Sequence, residues 1–405
     1  MLATPPDFDV LIVGAGISGI GMAAHMTDKS PHHSYAIVEQ RENLGGTWDL
    51  FRYPGIRSDS DMHTLGFDFE PWRHEKSIAD APSILAYLNK IVDERGIRQN
   101  IRFGHKVISA DFRNDEARWH VEMEKEDGSR THLTANFLYL GSGYYDYDEP
   151  YDPGFDFGEF EGQVLHPQFW PKDLDYAGKK VVVVGSGATA VTIVPSMADK
   201  AAHVTMLQRT PTWMFARPAK DKIANFLRKI LPDKLAYRIT RFKNIKLQDF
   251  SFKMARNKPQ KVKDALYKGI EKALGPGYDK ASFTPPYDPW DQRLCAILDH
   301  DLFNQISAGR ADVVTDTIDH VVPRSRGGSD GCDRQRSAID RDRRTAAEEH
   351  AGLARTRSPA AHGRLRILHP DGDGSSKVCS SVRFYFWPIL WNIIFQICSM
   401  MRLLQ

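Results

Sequence analysis

At two places along this chain, short apolar runs flank a stretch in which apolar residues have the spacing of a helix. Residues 9–13 form a short apolar run that a glycine ends, which is typical of a buried parallel strand. Helical spacing from about Ser18 to Thr27 follows, and a second strand over Tyr35–Val38 ends at Glu39. The same succession returns as a strand over Lys179–Val184, a helix near Ala188–Met197 and a strand over His203–Leu207. Two βαβ units of this kind predict an α/β fold with two Rossmann-type domains.

The residues around the two units predict three further parts. Residues 84–95 have apolar positions every three or four residues and are expected to form a helix. Residues 101–139 alternate and turn like a small β-meander, which ends in the strand Asn136–Leu140. Residues 219–275 are rich in Lys, Leu and Ala and predict a helical insertion, and the proline-rich stretch Pro285–Trp290 breaks this helical pattern.

The chain changes character after residue 322. Residues 323–376 contain eleven arginines but no lysine, valine or aromatic residue, and they show neither a strand nor a helix period. They are expected not to fold alone. The apolar run Phe384–Met401 is about long enough to span a membrane, but proline and polar positions interrupt it, so peripheral attachment is favoured over a spanning helix. A natural disordered linker with a tail helix explains this pattern, but we favour a non-native tail that results from a reading-frame change near residue 322.

Composition and charge exclude several classes of function. Hydrophobic residues make up 41% of the 405 residues and charged residues 26%, which is ordinary for a globular protein with room for two or three domains. The net charge is +2 with both signs mixed, so no nucleic-acid partner is expected. The four cysteines form no C-x-x-C pair, which argues against a disulfide framework, a dithiol reductase and any zinc or other metal site. The N-terminus has no basic segment or cleavage site, and a cytoplasmic location is expected.

The first unit contains the glycine-rich segment Gly14–Gly19, which follows a predicted strand and begins a helix. Gly14 permits the tight turn, Gly16 lets the backbone approach a pyrophosphate, and Gly19 lets helix and strand pack closely. Unpaired N–H groups at the helix start favour an anion. Glu39 stands 20 residues after Gly19 and is placed to accept hydrogen bonds from ribose hydroxyls. The alternative is an accidental glycine-rich turn, and the combination of strand, helix and acid argues against it.

The second unit repeats this design with one difference. Gly185 and Gly187 stand at the first two glycine positions, and Ala190 takes the third, which the pattern allows. At the end of the next strand the chain has Arg209 and Thr210 rather than an acid. A guanidinium can bind a 2′-phosphate bidentately and the threonine hydroxyl can donate to it. An acid in one unit and an arginine in the other predict FAD in the first and NADPH in the second; a solvated surface arginine is the alternative for Arg209.

A third motif lies between the two glycine-rich segments. Residues 160–171 read F-x-G-x-x-x-H-x-x-x-W-P, and the fixed positions are Phe160, Gly162, His166, Trp170 and Pro171. This segment resembles the signature of class B flavoprotein monooxygenases of the Baeyer–Villiger type, and its Trp-Pro ending differs from that of the flavin-containing monooxygenases and N-hydroxylases. Three other segments agree with the same family: Gly45–Trp48, Arg52–Gly55 and Pro289–Cys295. The resemblance covers about residues 8–320 and is to the actinobacterial, ethionamide-activating subgroup in particular.

The resemblance implies roles for individual residues. Arg293 matches the arginine that stabilises the negative charge formed at the flavin and on the substrate during the reaction. Asp59 matches the aspartate that holds this arginine in place and lies at the cofactor. Gly46, Thr47 and Trp48 are expected to bind FAD. Without the resemblance, Arg293 and Asp59 could equally form an ordinary surface ion pair. A large aromatic residue such as Trp48 is more often part of a core.

His166 has two interpretations. Its pKa suits a general base, but we favour a structural role in which it fixes the linker between the two domains, with Phe160 and Trp170 packed beside it. The signature residues are then a hinge, and such a hinge could still affect the reaction rate through domain rotation.

The predicted organisation has four parts. They are the N-terminal part of an FAD domain over residues 1–145, a linker over 146–178, an NADPH domain with the helical insertion over 179–322, and an atypical tail over 323–405. The resemblance implies insertion of one oxygen atom from O₂ into a small ketone, giving an ester or lactone, or oxidation of a thioether or thioamide sulfur. Two alternatives stay open. One is a flavin-containing N- or S-monooxygenase, and the other is an inactive remnant, since the family's return segment with its Ala-Thr-Gly motif is not found in the sequence.

Overall fold

Strands and helices alternate along the chain as the hydrophobic pattern predicts. The computed structural model describes residues 5–158 and 160–318, together with the backbone of 366–368. The strands are β1 (Phe8–Val13), β2 (Tyr35–Val38), β3 (Ile101–Arg102), β4 (His105–Arg113), β5 (Arg118–Lys125), β6 (Arg130–Leu140), β7 (Lys180–Val184), β8 (His203–Gln208), β9 (Trp213–Arg217), β10 (Leu294–Leu298), β11 (Ala311–Thr315) and β12 (Arg366–Leu368). The helices are α1 (Ile17–Lys29), α2 (Thr47–Leu50), α3 (Met62–Leu65), α4 (Ala81–Glu94), α5 (Ala188–Met197), α6 (Lys222–Ile230), α7 (Asp233–Asn257), α8 (Pro259–Leu274) and α9 (Asp301–Ser307).

A seven-stranded sheet forms the centre of the first unit, by which we mean β1–β6 and α1–α4. Its strand order is β12-β4-β5-β6-β1-β2-β3. Strand β1 pairs in parallel with β2 and β6, and β4, β5 and β6 pair antiparallel with one another, which confirms the predicted meander. Because successive side chains of a strand point to opposite faces, Val121 and Met123 of β5 enter the core while His120 and Glu122 face the other side.

Helices α1 and α4 pack in the main core of the first unit. Ile20, Met22 and Met26 of α1 are fully buried, as are Ile84 and Leu88 of α4. Helix α4 begins three residues before the predicted helix. The reason is a local cap: the Asp80 carboxylate accepts a hydrogen bond from the Ser83 N–H at 2.9 Å, and a proline occupies the first turn.

The second unit, β7–β11 with α5 and α9, contains two small parallel sheets. One has the order β11-β8-β7 and the other pairs β10 with β9. Helix α5 supplies Val191, Ile193, Val194 and Met197 to the core, and α9 supplies Leu302 and Phe303. The predicted succession of strand, helix and strand over residues 179–207 is confirmed, so both Rossmann-type units of the α/β fold are present.

The helical insertion predicted over residues 219–275 is also confirmed, as α6, α7 and α8. A short 3₁₀ turn over Lys280–Phe283 follows, and no helix covers the proline-rich stretch Pro285–Trp290 in the described part of the chain. Helix α7 contacts α3 of the first unit, so the insertion bridges the two units.

A buried carboxylate fixes the insertion to the first unit. Asp61 is 1% exposed and caps α3. Its two oxygens accept hydrogen bonds from Asn244 Nδ2 and Gln248 Nε2 of α7, each at 2.9 Å, and from the N–H and hydroxyl of Thr64. Arg241 of α7 adds hydrogen bonds to backbone carbonyl oxygens of the same α3 segment. Buried polar groups that are satisfied only by one another hold their elements in a single arrangement.

Asp61→Ala is therefore expected to lower the free energy of unfolding by about 3 kcal/mol, because it leaves several buried donors without an acceptor. Urea unfolding followed by circular dichroism measures the change. Asp249→Ala is the matched control: Asp249 is another aspartate, on α7 itself, but its ion pair with Lys253, at 2.8 Å, is exposed. Its loss is expected to cost less than about 0.5 kcal/mol. If the two variants lost equal free energy of unfolding, the buried network around Asp61 would not be what attaches the insertion to the first unit.

The predictions for residues 323–405 fall outside the described residues except at Arg366–Leu368. There the backbone forms β12, which runs parallel to β4 at Ser109–Asp111. The apolar run Phe384–Met401 also lies outside the described residues. Within 5–158 and 160–318, no helix is both long and apolar enough to cross a membrane.

Candidate functional site: two dinucleotide loops and the linker between them

The first nucleotide loop, Gly14–Gly19, leaves no room for side chains at two of its glycines. Gly14 has a φ of +97°, and a Cβ there would lie 2.6 Å from the carbonyl oxygen of Gly141. A Cβ on Gly19 would overlap the carbonyl oxygen of Gly14. Helix α1 has Gly16 as its N-cap and no side-chain cap, so its first N–H groups are open to an anion. The loop has the close backbone packing that a pyrophosphate site needs.

Glu39 lies at the end of β2, directly behind this loop, and is 3% exposed. Its Oε2 accepts a hydrogen bond from the Ala15 N–H at 2.7 Å and its Oε1 accepts one from the Arg41 N–H at 2.9 Å. Burial raises the pKa of Glu39, while the two backbone hydrogen bonds oppose that shift. A carboxylate oxygen can accept two hydrogen bonds, so each oxygen can also accept one from a ribose hydroxyl, as predicted.

A second glycine turn packs against the first nucleotide loop. The Gly45 N–H donates to the Ala15 carbonyl oxygen at 2.9 Å. The Cα of Gly46 lies 3.6 Å from where a Cβ on Gly16 would stand. Thr47 and Trp48 follow at the start of α2, and the Trp48 ring packs against the core of the first unit. The structure thus brings Gly46, Thr47 and Trp48 to the predicted FAD loop, with Trp48 partly in the core.

Asp49, which the sequence pattern did not single out, holds this turn in place. It is 4% exposed and forms ion pairs with Arg41 Nη2 at 2.7 Å and Arg52 Nη2 at 2.5 Å. Two guanidinium groups on one buried carboxylate satisfy both of its oxygens. Asp49 directly follows the Gly45–Trp48 segment, and this adjacency is the signal that could have identified it.

The second nucleotide loop, Gly185–Ala190, is more open than the first. Gly185 has a φ of +131°, and a Cβ there would meet no described atom within 4 Å. A Cβ on Gly187 would lie 3.4 Å from Nη1 of Arg293. Ala190 is buried at the position that corresponds to Gly19 in the first loop. Helix α5 begins at Gly187, again without a side-chain cap, so its first N–H groups can also bind an anion.

Arg209 and Thr210 directly follow β8, beside the second nucleotide loop. The Ser186 hydroxyl donates to the Thr210 carbonyl oxygen at 2.9 Å, which ties the loop to this strand end. The Arg209 side chain is exposed and has no hydrogen-bond or ion-pair partner within residues 5–158 and 160–318. This placement agrees with the prediction that Arg209 binds a 2′-phosphate, and that role stays a prediction.

The two units meet at the segment Arg52–Gly55 and the residues after it. A Cβ on Gly55 would overlap the Ser196 hydroxyl of α5 and lie 3.2 Å from the Thr192 carbonyl oxygen. Arg57 Nη1 forms an ion pair with Oδ2 of Asp301, at the start of α9, at 2.6 Å. The sequence did not indicate either contact, because each joins residues that are far apart in the chain.

The predicted pairing of Asp59 with Arg293 is not formed in this structure. Asp59 lies instead near Arg57 and Arg217: Arg217 Nη1 donates to its backbone carbonyl oxygen at 3.3 Å. Burial raises the pKa of the Asp59 carboxyl, and the Arg57 and Arg217 guanidinium groups oppose that shift. Arg293 is exposed and reaches Gly187 of the second loop. No hydrogen bond or ion pair links Asp59 to Arg293 among the described residues, and the role of Asp59 in positioning Arg293 stays a prediction.

The signature segment 160–171 is arranged differently from the prediction in one respect. Phe160 is 43% exposed and its ring folds back over Gly162. The aromatic ring beside His166 belongs to Phe169, with the ring centroids 6.3 Å apart. Trp170 packs against the core of the second unit, and Pro171 follows it, half-buried. The expected packing of Phe160 beside His166 is therefore corrected.

His166 makes a local structural contact. Its Nδ1 accepts a hydrogen bond from the Gln168 N–H at 3.2 Å and so caps the 3₁₀ turn Pro167–Phe169. Burial lowers the pKa of His166, which favours the neutral ring that this contact needs. Gln168, which the sequence did not single out, is buried and donates from Nε2 to the Asp146 carbonyl oxygen at 2.7 Å. These contacts fit the predicted linker role, which stays a prediction.

Cys295 lies close to the second nucleotide loop but is a poor nucleophile. It is 5% exposed, its thiol lies 3.9 Å from the Ser186 carbonyl oxygen, and burial raises the pKa of this thiol to about 12. The thiolate is the reactive form, so Cys295 is expected to resist iodoacetamide at mildly alkaline pH in the folded protein. Peptide mass spectrometry measures the labelling, and the same reaction in guanidinium is the control. Rapid labelling of folded protein would contradict the assignment of Cys295 to the core.

Comparison with known proteins agrees with this geometry. Residues 11–264, more than half of the chain, match the family model described as pyridine nucleotide-disulphide oxidoreductase. The FAD-containing monooxygenase EthA of Mycolicibacterium smegmatis is 52% identical over 314 residues, which are 77% of this chain and 64% of that protein. The probable FAD-binding monooxygenase AlmA of Acinetobacter baylyi is 48% identical over 313 residues, 77% of this chain and 63% of AlmA.

The fold has solved counterparts as well. A crystal structure of OTEMO in complex with FAD and NADP superposes with a TM-score of 0.62 over 79% of this chain and 68% of that one, at 21% identity. The chain spans just under two thirds of the length of the two relatives above, and the matched part includes both nucleotide loops. The family model matches more than half of this chain, so the chain belongs to the pyridine nucleotide-disulphide oxidoreductase family.

Proposed function

We propose that this chain acts as an FAD- and NADPH-dependent monooxygenase. The observation that carries the proposal is the difference between its two nucleotide loops: buried Glu39 lies behind the first, and exposed Arg209 follows the second. A carboxylate accepts hydrogen bonds from ribose hydroxyls, whereas a guanidinium binds a 2′-phosphate. The names of the relatives, which are FAD-containing or FAD-binding monooxygenases, support the same assignment.

The residues present fit both dinucleotides. At the first loop the close packing of Gly14, Gly16 and Gly19 keeps side chains away from the place of a pyrophosphate, and Glu39 binds the ribose. At the second loop the N–H groups at the start of α5 bind the other pyrophosphate, and Arg209 with Thr210 binds the 2′-phosphate. When bound, FAD supplies the transfer of electrons from NADPH and the activation of O₂.

Two side chains are proposed to act in the reaction itself. Arg293 lies at Gly187 of the second loop, and its guanidinium would stabilise negative charge that develops between the cofactors and the substrate. Asp59 lies at the junction of the two units and stays part of the proposal; the charges of Arg57 and Arg217 act on its carboxyl. The signature residues from Phe160 to Pro171 are proposed as the hinge between the units.

The proposed reaction inserts one atom of O₂ into a ketone to give an ester or lactone, or transfers it to the sulfur of a thioether or thioamide. The second oxygen atom leaves as water, with the two electrons supplied by NADPH. Purified protein supplied with FAD is expected to oxidise NADPH in the presence of O₂ and a cyclic ketone, and the lactone is expected to carry label from oxygen-18. Hydroxylation of an amine with no lactone would instead assign the chain to the N- or S-oxidising flavin monooxygenases.

A second candidate is a chain that binds nucleotides and turns nothing over. The observation that favours it is that no hydrogen bond or ion pair joins Asp59 to Arg293 among the described residues, where Arg217 donates to the Asp59 backbone carbonyl oxygen instead. The visible spectrum of protein mixed with FAD distinguishes the two. Bound flavin that NADPH bleaches under nitrogen supports the monooxygenase, whereas bound flavin that NADPH leaves oxidised supports the inactive binder.

A further inference from the structure

Two adjacent helices of the insertion present apolar side chains to solvent. On α6 the exposed large apolar residues are Ile223, Phe226 and Ile230, and on α7 they are Leu235, Ile239, Phe242, Ile245, Leu247 and Phe250. Phe226 is 59% exposed and Phe242 64%. The side of α7 opposite to this stripe is buried through Tyr237, Thr240 and Asn244. Both helices are therefore amphipathic with the apolar stripe facing outward, the reverse of a helix that packs on its own core.

The same two helices concentrate positive charge. Residues 220–258 contain twelve Lys and Arg but only three Asp and Glu, although the whole chain has a net charge of +2. Five exposed cations beside the apolar stripes form no ion pair within the part of the chain that the structure describes: Lys222, Lys229, Lys234, Arg238 and Lys246. The Lys246 ammonium lies 5.6 Å from the centre of the Phe242 ring, so cation and apolar surface are directly adjacent.

Apolar stripes flanked by free cations are the pattern of helices that lie in the interface of an anionic bilayer. A second copy of the chain is a poorer occupant, because a symmetric contact would place the same cations against each other. Nucleic acid would use the cations but would leave the isoleucines and phenylalanines in water. The positive charge therefore favours an anionic surface, and the apolar stripes favour a surface with a hydrocarbon interior.

We propose that α6 and α7 dock this protein on the surface of an anionic membrane. Phe226 and Phe242 enter the headgroup region, and the flanking lysines and Arg238 contact lipid phosphates. The proposed docking does not depend on the proposed oxygenation reaction.

Sedimentation with lipid vesicles tests the proposal on the full chain. The protein is expected to bind vesicles of phosphatidylglycerol and phosphatidylcholine, to bind pure phosphatidylcholine weakly, and to be released by salt. Phe226→Glu combined with Phe242→Glu is expected to lower the partition coefficient at least about tenfold, since two aromatic anchors are replaced by anions. Arg238→Gln combined with Lys246→Gln is expected to lower it about thirtyfold, because each cation near the surface contributes about fivefold.

Matched controls separate docking from general effects. Tyr151→Glu changes an aromatic residue that is 67% exposed outside the insertion, and Lys179→Gln with Lys200→Gln removes two exposed cations of the second unit. Both controls are expected to bind vesicles as the unchanged protein does. All altered side chains are exposed, so thermal unfolding should confirm that every variant folds.

Three results would overturn the proposal. One is equal binding to anionic and neutral vesicles, and another is an equal loss for the control variants. The third is a protein that binds no vesicle but elutes as a dimer which the Phe226→Glu, Phe242→Glu variant converts to a monomer; a second copy would then cover this face.

Discussion

Gly19→Ala is expected to weaken FAD binding roughly a hundredfold, although the change adds a single methyl group. The new Cβ would overlap the carbonyl oxygen of Gly14 and lie 3.3 Å from the Ile12 side chain. Neither neighbour can yield easily, because the first is backbone of the same loop and the second, Ile12 of β1, is fully buried. Either the loop opens or α1 moves away from the sheet. Overpacking of this kind costs about 3 kcal/mol, which weakens a dissociation constant by roughly a hundredfold if it falls on the bound state.

Flavin fluorescence titration measures this loss, and circular dichroism reports whether the variant is folded. The chain itself offers the matched control, since Ala190 occupies the corresponding position in the second nucleotide loop. Ala190→Gly is expected to leave FAD binding unchanged. If a folded Gly19→Ala variant bound FAD as tightly as the unchanged protein, the first nucleotide loop would not be the flavin site.

Local signals explain why much of the fold was predictable. The strand–loop–helix succession at β1 and α1 depends on residues within a few positions of one another, so a single sequence contains the whole pattern. The same holds for β7, the second nucleotide loop and α5. Helix α4 shows where periodicity fails: its apolar spacing begins at Ile84, but the cap at Asp80 starts the helix three residues earlier. Caps are also local, and reading the Asp-Ala-Pro-Ser sequence as a helix start would have given the right boundary.

Contacts between the two units were not predictable in the same way. Arg57 and Asp301 are 244 positions apart, and Asp61 and Asn244 are 183 apart. No periodicity relates such residues. Asp59 illustrates this: the family resemblance implies Arg293 as its partner, whereas the charges of Arg57 and Arg217, which the sequence did not indicate, act on its carboxyl in this fold. The contact predicted between Phe160 and His166 was wrong for a related reason: a sequence motif specifies residue types but not the direction in which a ring points.

The two nucleotide loops also differ in how closely the surrounding residues enclose them. The first is enclosed by Gly141, by the Gly45–Trp48 turn and by the Arg41–Asp49–Arg52 ion pairs, whereas the second is open around Gly185. A tightly enclosed loop suits a cofactor that stays bound through many turnovers. An open loop suits a dinucleotide that must enter and leave in each cycle. We therefore expect FAD to leave the first loop more slowly than NADPH leaves the second.

Arg209→Gln is expected to change which dinucleotide the second loop prefers. If the guanidinium binds the 2′-phosphate bidentately, its loss removes two charge-assisted hydrogen bonds and weakens NADPH binding by about 3 kcal/mol. That corresponds to roughly a hundredfold rise in the dissociation constant. NADH lacks the 2′-phosphate, so its binding should stay unchanged. Quenching of protein fluorescence by each dinucleotide measures both constants without requiring turnover, so the result stands whether or not the chain oxygenates a substrate.

The control for this substitution is Arg238→Gln, because Arg238 is likewise exposed and unpaired among the described residues but lies on α7, away from the second loop. It should leave the affinity for both dinucleotides unaltered. An equal loss of NADPH and NADH affinity in Arg209→Gln would mean that the arginine stabilises the loop rather than binds the 2′-phosphate. Unchanged NADPH affinity would place the 2′-phosphate elsewhere. A loss confined to NADPH is the result expected if the exposed guanidinium of Arg209, at the end of β8, binds the 2′-phosphate.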